Sequence, residues 1–457
     1  MKPRLSAALL AGRAAATLSR RLGRGGGTVI AGHLVPRIAP AALKDVTQAL
    51  PNGSIVVSGT NGKTTTTRLL SHLLRASGMR PIHNRAGANL LSGLYSAVAQ
   101  ATDWQARPRG DVGLFEVDEA TLPKALEHIH PRVLLLHNIF RDQLDRYGEV
   151  HFVAGLWREA TEHLRDSTTV AVNADDPLVA ALPAALTYGI ADPGVGTTTL
   201  PHAADARLCP VCGAALRYDL VYYGHLGHYA CTRCEFARPT PTVAATQVEL
   251  LGDQGTNVIV ETPAGTLRAN LRLPGLYNVY NALAAIAVCN ALGIKRDVIA
   301  RGLETFTAAF GRLERIQVED RQLFLALVKN PVGFTEVLRT ILTSPGRRTL
   351  LIAINDLFAD GTDVSWLWDV EFERLCGRVN VAVCTGLRAE DMAVRLKYAG
   401  VESSRLRVEP DLDRALELTL RAAEPGETIY VLPTYTAMLS MRELLHRTGY
   451  VGAFWED

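Results

Sequence analysis

The strongest chemical signal in the sequence is the glycine-rich run Gly59-Thr60-Asn61-Gly62-Lys63-Thr64-Thr65. It follows a short β-branched run, residues 54–57, and precedes a helical pattern over 65–76. A turn between a strand and a helix presents backbone N–H groups and the helix dipole to an anion. Lys63 is placed to neutralise phosphate charge, and the Thr64 hydroxyl is a suitable Mg²⁺ ligand. The alternative is a solvent-exposed turn, but the strand-to-helix context favours a nucleotide-binding loop.

A second group of chemically active side chains is acidic. The run Phe115-Glu116-Val117-Asp118-Glu119 ends an apolar, strand-like segment that begins at residue 112. In a parallel sheet such carboxylates lie at the carboxyl end of the strand, which places them beside the phosphate loop. A carboxylate there can hold Mg²⁺ that bridges phosphate oxygens. A solvated acidic loop is the alternative.

Four of the seven cysteines form two Cys-x-x-Cys pairs, which are separated by 18 residues. This spacing predicts a closed, structural Zn²⁺ site. The predicted ligands are Cys209, Cys212, Cys231 and Cys234. One alternative is that His225 or His228 replaces a ligand, and another is a nucleic-acid-binding ribbon. The net charge of +2 gives no support for a nucleic-acid-binding ribbon. We therefore expect a scaffold or a surface for a protein partner, and no nucleic acid.

The other three cysteines, Cys289, Cys376 and Cys384, lie in apolar contexts and are predicted to be core residues. Cys384 has no Gly-rich nucleophile turn around it, so no glutaminase nucleophile is evident in the chain. Free thiols and metal-ligand spacing suit a reducing compartment, which makes the cytoplasm the expected location.

These residues need a scaffold, and the length of 457 residues suggests two or three domains. Strand and helix patterns alternate from about residue 45, which predicts a parallel sheet with helices on both faces. A further strand is predicted over 133–136 and a helix over 278–292. A second α/β pattern begins after about residue 315, with predicted strands over 323–328, 349–354, 379–384 and 428–432.

We therefore predict a central domain over 45–314, with the cysteine insertion at about 201–240, and a C-terminal domain over 315–457. Residues 1–44 are interpreted as a helix, a Gly-rich turn over 23–27 and a short linker that ends at Pro40. The first 22 residues contain no acidic side chain, so a targeting peptide is an alternative. Arginines within or after the apolar run favour an amphipathic helix of the mature protein instead.

The phosphate loop departs from the common P-loop, because only two residues separate Gly59 from Gly62. In this respect it resembles the Mur ligase superfamily, whose loop reads Gly-Thr-Asn-Gly-Lys-Thr-Thr. The resemblance implies an α/β fold: a Mur ligase-type central P-loop domain, here with a zinc-ribbon insertion, followed by a Rossmann-like C-terminal domain. It also implies that the chain uses ATP and Mg²⁺ and that Glu116 binds the metal.

Two further segments extend this resemblance. Residues 273–285 are similar to the helix whose asparagines contact adenine, which assigns Asn278 and Asn281 to ATP binding. Taken alone, Asn278 would serve equally well as a helix N-cap. Residues 310–315 are similar to the inter-domain segment whose arginine reaches the nucleotide, which assigns Arg312.

One segment departs from the family pattern. Residues 137–148 resemble the Mur segment Asn-x-x-x-Asp-His-x-Asp-Arg-Tyr, but Gln143 stands where the amino-acid-adding ligases have a metal-binding histidine. In the helix that follows, Trp157-Arg158 occurs where many of those enzymes carry a carbamylated lysine. The departure points away from a standard amino-acid-adding ligase.

The C-terminal domain narrows the resemblance further. Residues 329–334, 353–369 and 432–438 resemble the MurT family, the ligase subunits of lipid II isoglutaminyl synthases. This resemblance implies ATP-dependent amidation of the D-glutamate α-carboxylate of lipid II through an acyl phosphate, during peptidoglycan synthesis at the inner face of the cell membrane. Ammonia is expected from a partner glutamine amidotransferase subunit of the GatD type.

Lys63, Glu116 and Asp360 are the predicted catalytic residues. Asp360 is favoured, ahead of Asp356, as the residue that completes or orients the Cys/His pair of the partner. The alternative for Asp360 is an Asx turn that caps the next helix.

Two competing functions remain open on the sequence. One is a stand-alone Mur-type ligase that adds an amino acid to a peptide or polyglutamate chain, against which Gln143 counts. The other is a zinc-ribbon interaction protein that uses ATP only as a switch.

Overall fold

The computed structural model describes residues 3–21, 28–84, 88–142, 150–164, 166–201, 204–307 and 312–452. The strands are β1 Ser54–Ser58, β2 Pro81–His83, β3 Val112–Glu116, β4 Val133–Leu136, β5 Thr169–Asn173, β6 Leu186–Ile190, β7 Leu216–Tyr223, β8 Leu226–Cys231, β9 Val243–Leu250, β10 Thr256–Glu261, β11 Leu267–Leu271, β12 Arg312–Val318, β13 Arg321–Ala326, β14 Arg348–Ala353, β15 Val379–Thr385, β16 Leu406–Val408 and β17 Thr428–Pro433.

The helices alternate with these strands through most of the chain. They are α1 Pro3–Arg21, α2 Thr28–Ile38, α3 Ala42–Gln48, α4 Lys63–Ala76, α5 Leu91–Gln100, α6 Leu122–His128, α7 Val150–Glu162, α8 Pro177–Ala180, α9 Leu276–Ala291, α10 Arg296–Thr305, α11 Pro331–Ile341, α12 Ala389–Tyr398, α13 Leu412–Ala422 and α14 Tyr435–Arg447.

The first sheet has nine strands in the order β11-β10-β9-β6-β5-β4-β1-β3-β2. Pairing is parallel from β9 to β2 and antiparallel between β9, β10 and β11. Side chains of β1 alternate between two cores, since Ile55 and Val57 face one and Val56 faces the other. Burial on both faces explains why residues 55–57 of β1 and all of β4 are apolar.

Register brings the ends of three neighbouring strands together. Val57 of β1 lies opposite Glu116 of β3, and Ser58 lies opposite Leu136 of β4. The segments that follow β1, β3 and β4 therefore meet at one edge of the sheet, where ligands of open α/β sheets bind.

The second sheet has six strands in the order β12-β13-β17-β14-β15-β16. Only the β12–β13 pair is antiparallel. Its first strand, Arg312–Val318, spans the predicted boundary between residues 314 and 315. Strands β13, β14 and β17 are neighbours, so the loops after them also meet at one edge. The predicted α/β architecture with a second, Rossmann-like sheet is confirmed.

The N-terminal prediction is wrong in one respect. The chain between the Gly-rich turn and Pro40 is not a short linker, because it contains helix α2. A Cβ on Gly32 of α2 would lie 2.0 Å from the backbone oxygen of Ser92, so α2 and α5 pack at backbone distance. This contact stabilises a helix that contains Pro36, a residue that normally disfavours helix. The Gly-rich turn itself lies outside the described residues.

No helix among the described residues combines the length and the apolar character needed to cross a bilayer.

Candidate functional site

The phosphate loop lies between β1 and α4 in a conformation that requires glycine. Gly59 and Gly62 have φ values of 151° and 88°, which side chains with a Cβ rarely adopt. A Cβ on Gly62 would lie 2.1 Å from Asn281 Oδ1, and one on Gly59 would lie 2.7 Å from the His137 Cβ. The first N–H groups of α4 precede its first intrahelical hydrogen bond, from Thr66 N to Gly62 O, and are thus available to an anion.

The segment after β4 holds this loop in place. Thr60 N donates to Asn138 O (2.8 Å), and Asn61 N donates to Asn138 Oδ1 (2.8 Å). Asn138 Nδ2 donates in return to Asn61 O (3.1 Å), and Phe140 N donates to Thr60 Oγ1 (3.1 Å). These bonds fix the loop before any nucleotide binds, which lowers the ordering cost of binding.

Lys63 is buried and forms an ion pair with Glu119, with Nζ 2.9 Å from Oε2. Nζ also donates to the backbone oxygen of Gly59. Burial alone would lower the pKa of Lys63, but the nearby carboxylates of Glu119, Glu116 and Asp118 raise it above its ordinary value. The lysine is therefore a fixed cation at the loop, held by a carboxylate.

Thr64 and Glu116 form the part of the site that fits a divalent cation. Thr64 Oγ1 lies 3.1 Å from Glu116 Oε1, and both residues are buried. Asn84 holds the glutamate backbone, accepting from Glu116 N (2.9 Å) and donating to Glu116 O (2.8 Å). A hydroxyl and a carboxylate oxygen beside a phosphate loop are the hard oxygen ligands that Mg²⁺ prefers.

Helix α9 lies directly against the phosphate loop. Asn281 Oδ1 accepts from Thr66 Oγ1 (3.2 Å) and from His137 Nε2 (2.8 Å), and Asn281 Nδ2 donates to Asn278 Oδ1 (2.8 Å). The N-cap of the helix is Gly275, so the alternative that Asn278 serves as the N-cap is wrong. Asn278 and Asn281 line the same cavity as the loop.

His137 is a buried, neutral residue beneath the loop. Its Nδ1 lies 2.6 Å from the Tyr188 hydroxyl. Burial lowers the pKa of His137 to about 4, and the charge of Lys63 acts in the same direction. The imidazole thus links α9 to the sheet through its two hydrogen bonds.

Two predicted residues cannot be placed fully. The side chain of Arg312 and all of Gln143 lie outside the described residues, although the Arg312 backbone pairs with Ala326 in the second sheet. Trp157, at the position expected for a metal-bridging lysine, is fully buried and donates from Nε1 to Glu119 O (3.0 Å). An indole therefore supports the acidic segment there.

The second sheet contributes polar side chains to the same site. Lys329 Nζ lies 2.6 Å from Asp142 Oδ2, and Asn330 Nδ2 donates to Asn61 Oδ1 (2.9 Å). Asn330 is buried and also caps α11 through Gly333 N (2.8 Å). The two domains therefore meet at the phosphate loop.

Asp360 is buried at the start of α14. Thr436 N donates to its Oδ1 (2.8 Å) and Thr436 Oγ1 donates to its Oδ2 (2.5 Å). The alternative that Asp360 caps the next helix is wrong, because the helix it contacts begins 75 residues later, at Tyr435. Asp356 instead forms an ion pair with Arg388 on a more exposed surface, with Nη2 2.6 Å from Oδ2.

One cavity of about 520 Å³ joins these groups. It extends from the phosphate loop and Glu116 to Asp360 and Thr434 of the second sheet, and Tyr277 with Glu336 line another part of its wall. Burial raises the pKa of Glu336 despite the neighbouring Arg339. The cavity thus lies between the two domains and has the size of a small-molecule site.

The four cysteines cluster on the β7–β8 hairpin and its flanking turns. Their sulfur atoms all lie within 4.8 Å of one another, with Cys209–Cys234 at 3.7 Å and Cys212–Cys231 at 3.5 Å. A tetrahedral site with Zn–S bonds of about 2.3 Å has S–S edges of about 3.8 Å, so the donor set fits Zn²⁺.

Neither intervening histidine joins this cluster. His225 lies against Asp176 (3.4 Å), and His228 lies against the Tyr222 hydroxyl (3.1 Å). Of the remaining cysteines, Cys289 and Cys384 are buried as predicted. Cys376 is exposed, so its prediction as a core residue is wrong: it ends a short 3-10 turn at the surface.

Some residues at the site had no role assigned from the sequence. Glu119 lies three positions after Glu116, and Asn138 belongs to the segment after β4, so both lay in stretches already recognised. Lys329 and Asn330 follow a strand of the second sheet. Their position after a strand end was the signal that could have indicated a role at the site. Their partners could not be predicted, because they lie in another domain.

Comparison with known proteins agrees with this geometry. Residues 57–201 match the family model described as Mur ligase middle domain, and residues 327–438 match the one described as MurT ligase C-terminal. The chain is 34% identical over 447 residues to lipid II isoglutaminyl synthase (glutamine-hydrolyzing) subunit MurT of Streptococcus pneumoniae (strain ATCC BAA-255 / R6), covering 96% of each chain. It is 32% identical over 439 residues to the protein of that name in Staphylococcus aureus (strain N315), covering 94% of this chain and 95% of that one.

Solved structures share the fold at lower identity. A pseudomurein peptide ligase type C from Methanothermus fervidus superposes with a TM-score of 0.67 at 23% identity, covering 91% of this chain and 84% of that chain. MurF from Acinetobacter baumannii superposes with a TM-score of 0.65 at 18% identity, covering 93% of this chain and 80% of that chain. These structures show the fold, and the near full-length relatives establish that the chain belongs to the MurT family of the Mur ligases.

Proposed function

We propose that the chain is the ligase subunit of a lipid II isoglutaminyl synthase. It would amidate the α-carboxylate of D-glutamate in lipid II to D-isoglutamine, at the inner face of the cell membrane during peptidoglycan synthesis. The observation that carries this proposal is identity of 32–34% over nearly the full length to relatives with that name. A cytoplasmic location is part of the proposal.

The geometry supports phosphoryl transfer to a carboxylate. The substrate carboxylate oxygen attacks the γ-phosphorus of ATP, ADP leaves, and an acyl phosphate forms. Ammonia then attacks the acyl carbon, and inorganic phosphate leaves with formation of the amide. Lys63 and the N–H groups of α4 would stabilise the charge on the transferred group.

Thr64 and Glu116 would hold Mg²⁺, which would supply positive charge to offset the charge of the phosphates. In the same assignment Gly59, Thr60, Asn61, Gly62 and Thr65 form the phosphate cradle. Asn278, Asn281 and Arg312 would complete the nucleotide site. Enclosure of the acyl phosphate in this cavity would limit its hydrolysis by water. The Cys209, Cys212, Cys231 and Cys234 cluster would hold structural Zn²⁺.

The ammonia is proposed to come from a partner glutaminase subunit of the GatD type. Cys384 is no alternative glutaminase nucleophile, because burial in β15 raises the pKa of its thiol to about 12. Asp360 is proposed to act on the glutaminase centre of the partner, with Asp356 as the second candidate.

The test uses the purified chain with lipid II and ATP, alone and with its co-expressed partner. Products are identified by mass spectrometry with ammonium, glutamine or free amino acids as the nitrogen donor. We expect ammonium to support amidation by the chain alone and glutamine to support it only in the complex. Incorporation of a free amino acid without amidation would show a stand-alone amino-acid-adding ligase instead. ATP-dependent binding of the partner without any product, lost after Lys63→Ala, would show an ATP switch.

A further inference from the structure

The N-terminal segment has a charge unlike that of the rest of the chain. Its first 44 residues carry eight Lys or Arg side chains and no Asp or Glu, a formal charge of +8. The whole chain carries +2, so residues 45–457 carry −6. Acidic residues number 46 in 457, about one in ten, so their absence from 44 consecutive positions is a local property. A cationic segment on an otherwise acidic chain suits an anionic surface.

Helix α1 has an apolar side that faces solvent. Its buried positions include Leu5, Leu9 and Ala16, and the helix packs against α2 and α5. Among the described side chains of α1, the exposed ones on the opposite side are those of Arg4, Ala7, Leu10, Ala14 and Thr17, at three- and four-residue helical spacing. Leu10 is 44% exposed. Three of these five residues are apolar, whereas the outer side of a helix in a soluble domain normally carries mostly charged and polar residues.

Helix α2 and a neighbouring loop continue this surface. Among the described side chains of α2, those of Ile30, His33 and Arg37 are exposed, and Ile30 is 47% exposed. The loop after α5 is joined to α1 by a hydrogen bond from Arg13 Nη1 to Thr102 O (2.8 Å). Two residues further along that loop, Trp104 is 68% exposed. We call Arg4, Ala7, Leu10, Ala14, Ile30, His33, Arg37 and Trp104 the hairpin face.

We infer that the hairpin face docks on an anionic phospholipid surface. Its exposed apolar side chains are separated by cations, and a tryptophan lies at its border, which is the composition of interfacial helices. None of its members is acidic, so charge complementarity favours lipid phosphates. The proposed function sets the context, because a lipid-linked acceptor is reached at such a surface. The lipid-binding step can be tested without that function.

The binding test is flotation of the full chain with vesicles. We expect the chain to float with phosphatidylglycerol vesicles, to remain in solution with phosphatidylcholine vesicles, and to be released by added salt. The double variant Leu10→Asp/Arg37→Glu should bind anionic vesicles at least about tenfold more weakly. Its matched control is Arg414→Glu/Leu418→Asp, which makes the same change in charge on the exposed side of α13, where Leu418 is 39% exposed.

Equal binding by the two double variants would overturn the inference, as would equal flotation of the parent chain with both lipids. If the parent chain is a dimer and the Leu10→Asp/Arg37→Glu variant is a monomer, the hairpin face binds a second copy of the chain. This result would also overturn the inference of lipid binding. Amidation separates this inference from the proposed function. The Leu10→Asp/Arg37→Glu variant should lose activity on lipid II in vesicles and keep it on a short-chain, water-soluble lipid II analogue. No amidation of either substrate by the parent complex would reject the proposed function alone.

Discussion

Lys63 Nζ lies 2.9 Å from Glu119 Oε2, so the cation of the phosphate loop is already bound to a carboxylate. Glu119 is fixed in turn, because its backbone oxygen accepts from Trp157 Nε1. A triphosphate must therefore replace Glu119 as the partner of Lys63, or share the lysine with it. The ion pair keeps Lys63 charged in a buried setting and competes with the nucleotide.

This competition predicts opposite effects of two substitutions on nucleotide affinity. Lys63→Ala should weaken binding of a non-hydrolysable ATP analogue and lower kcat by about two to three orders of magnitude. Glu119→Gln should tighten binding on the order of fivefold, because the triphosphate no longer displaces a carboxylate. Titration calorimetry measures the affinity of each variant for the analogue, and a steady-state assay measures kcat. Equal weakening by Glu119→Gln would show that Glu119 itself helps to bind the nucleotide.

The buried His137 predicts a specific acid sensitivity. Its folded-state pKa of about 4 lies below the ordinary value of 6.5, so between these values the unfolded chain binds a proton that the folded chain does not. Stability is therefore lost as pH falls from 6.5 towards 4, by about 2 kcal/mol at pH 5. His137→Gln should remove this part of the pH dependence in denaturant unfolding measured at pH 7.5 and 5. The control, His33→Gln, removes an exposed imidazole. Identical pH dependence in the parent chain and His137→Gln would refute the assignment.

The cysteine cluster predicts about one zinc per chain in the purified protein. Cys231→Ser should abolish stoichiometric zinc and lower the free energy of unfolding by roughly 3 kcal/mol, because a structural metal contributes directly to folding. Cys376→Ser removes an exposed thiol outside the cluster and is the matched control. Mass spectrometry under native conditions and elemental analysis give the metal content. A zinc-free chain of unchanged stability would refute the metal site.

The sequence predicts elements well where the local pattern is sufficient. Strand β4 is found at the predicted residues 133–136 because all four of its side chains are buried apolar groups in the middle of the sheet. Helix α2 was missed because Pro36 and a neighbouring glycine run argue against a helix locally. Its stability depends on the close approach of Gly32 to Ser92, which no local pattern reveals.

The residues of the site likewise fall into those that a local pattern reveals and those that depend on tertiary contacts. The phosphate loop and Glu116 are recognisable because strand, turn and side chain follow one another in the chain. The bond from Asn330 to Asn61 joins residues 269 positions apart, and its existence depends on how the two domains meet. Residues that act through such contacts require the three-dimensional structure.

Asp360 offers the sharpest test of the proposed subunit role. In the complex with its partner, Asp360→Asn should lower glutamine-dependent amidation by about two orders of magnitude if the carboxylate assists the glutaminase. Amidation from added ammonium should stay near that of the parent, since the phosphate loop is untouched. Asp356→Asn, which breaks the ion pair with Arg388, is the parallel test of the second candidate.

The buried hydrogen bonds of Asp360 require a structural control. Thr436→Val removes the hydroxyl that donates to Asp360 Oδ2 and leaves the carboxylate in place. If Asp360 only stabilises the start of α14, the two variants should lose stability, glutamine-dependent activity and ammonium-dependent activity together. If Asp360 acts on the partner, only Asp360→Asn should separate the glutamine-dependent rate from the ammonium-dependent rate. Thermal unfolding of each complex, measured beside both rates, distinguishes the two outcomes.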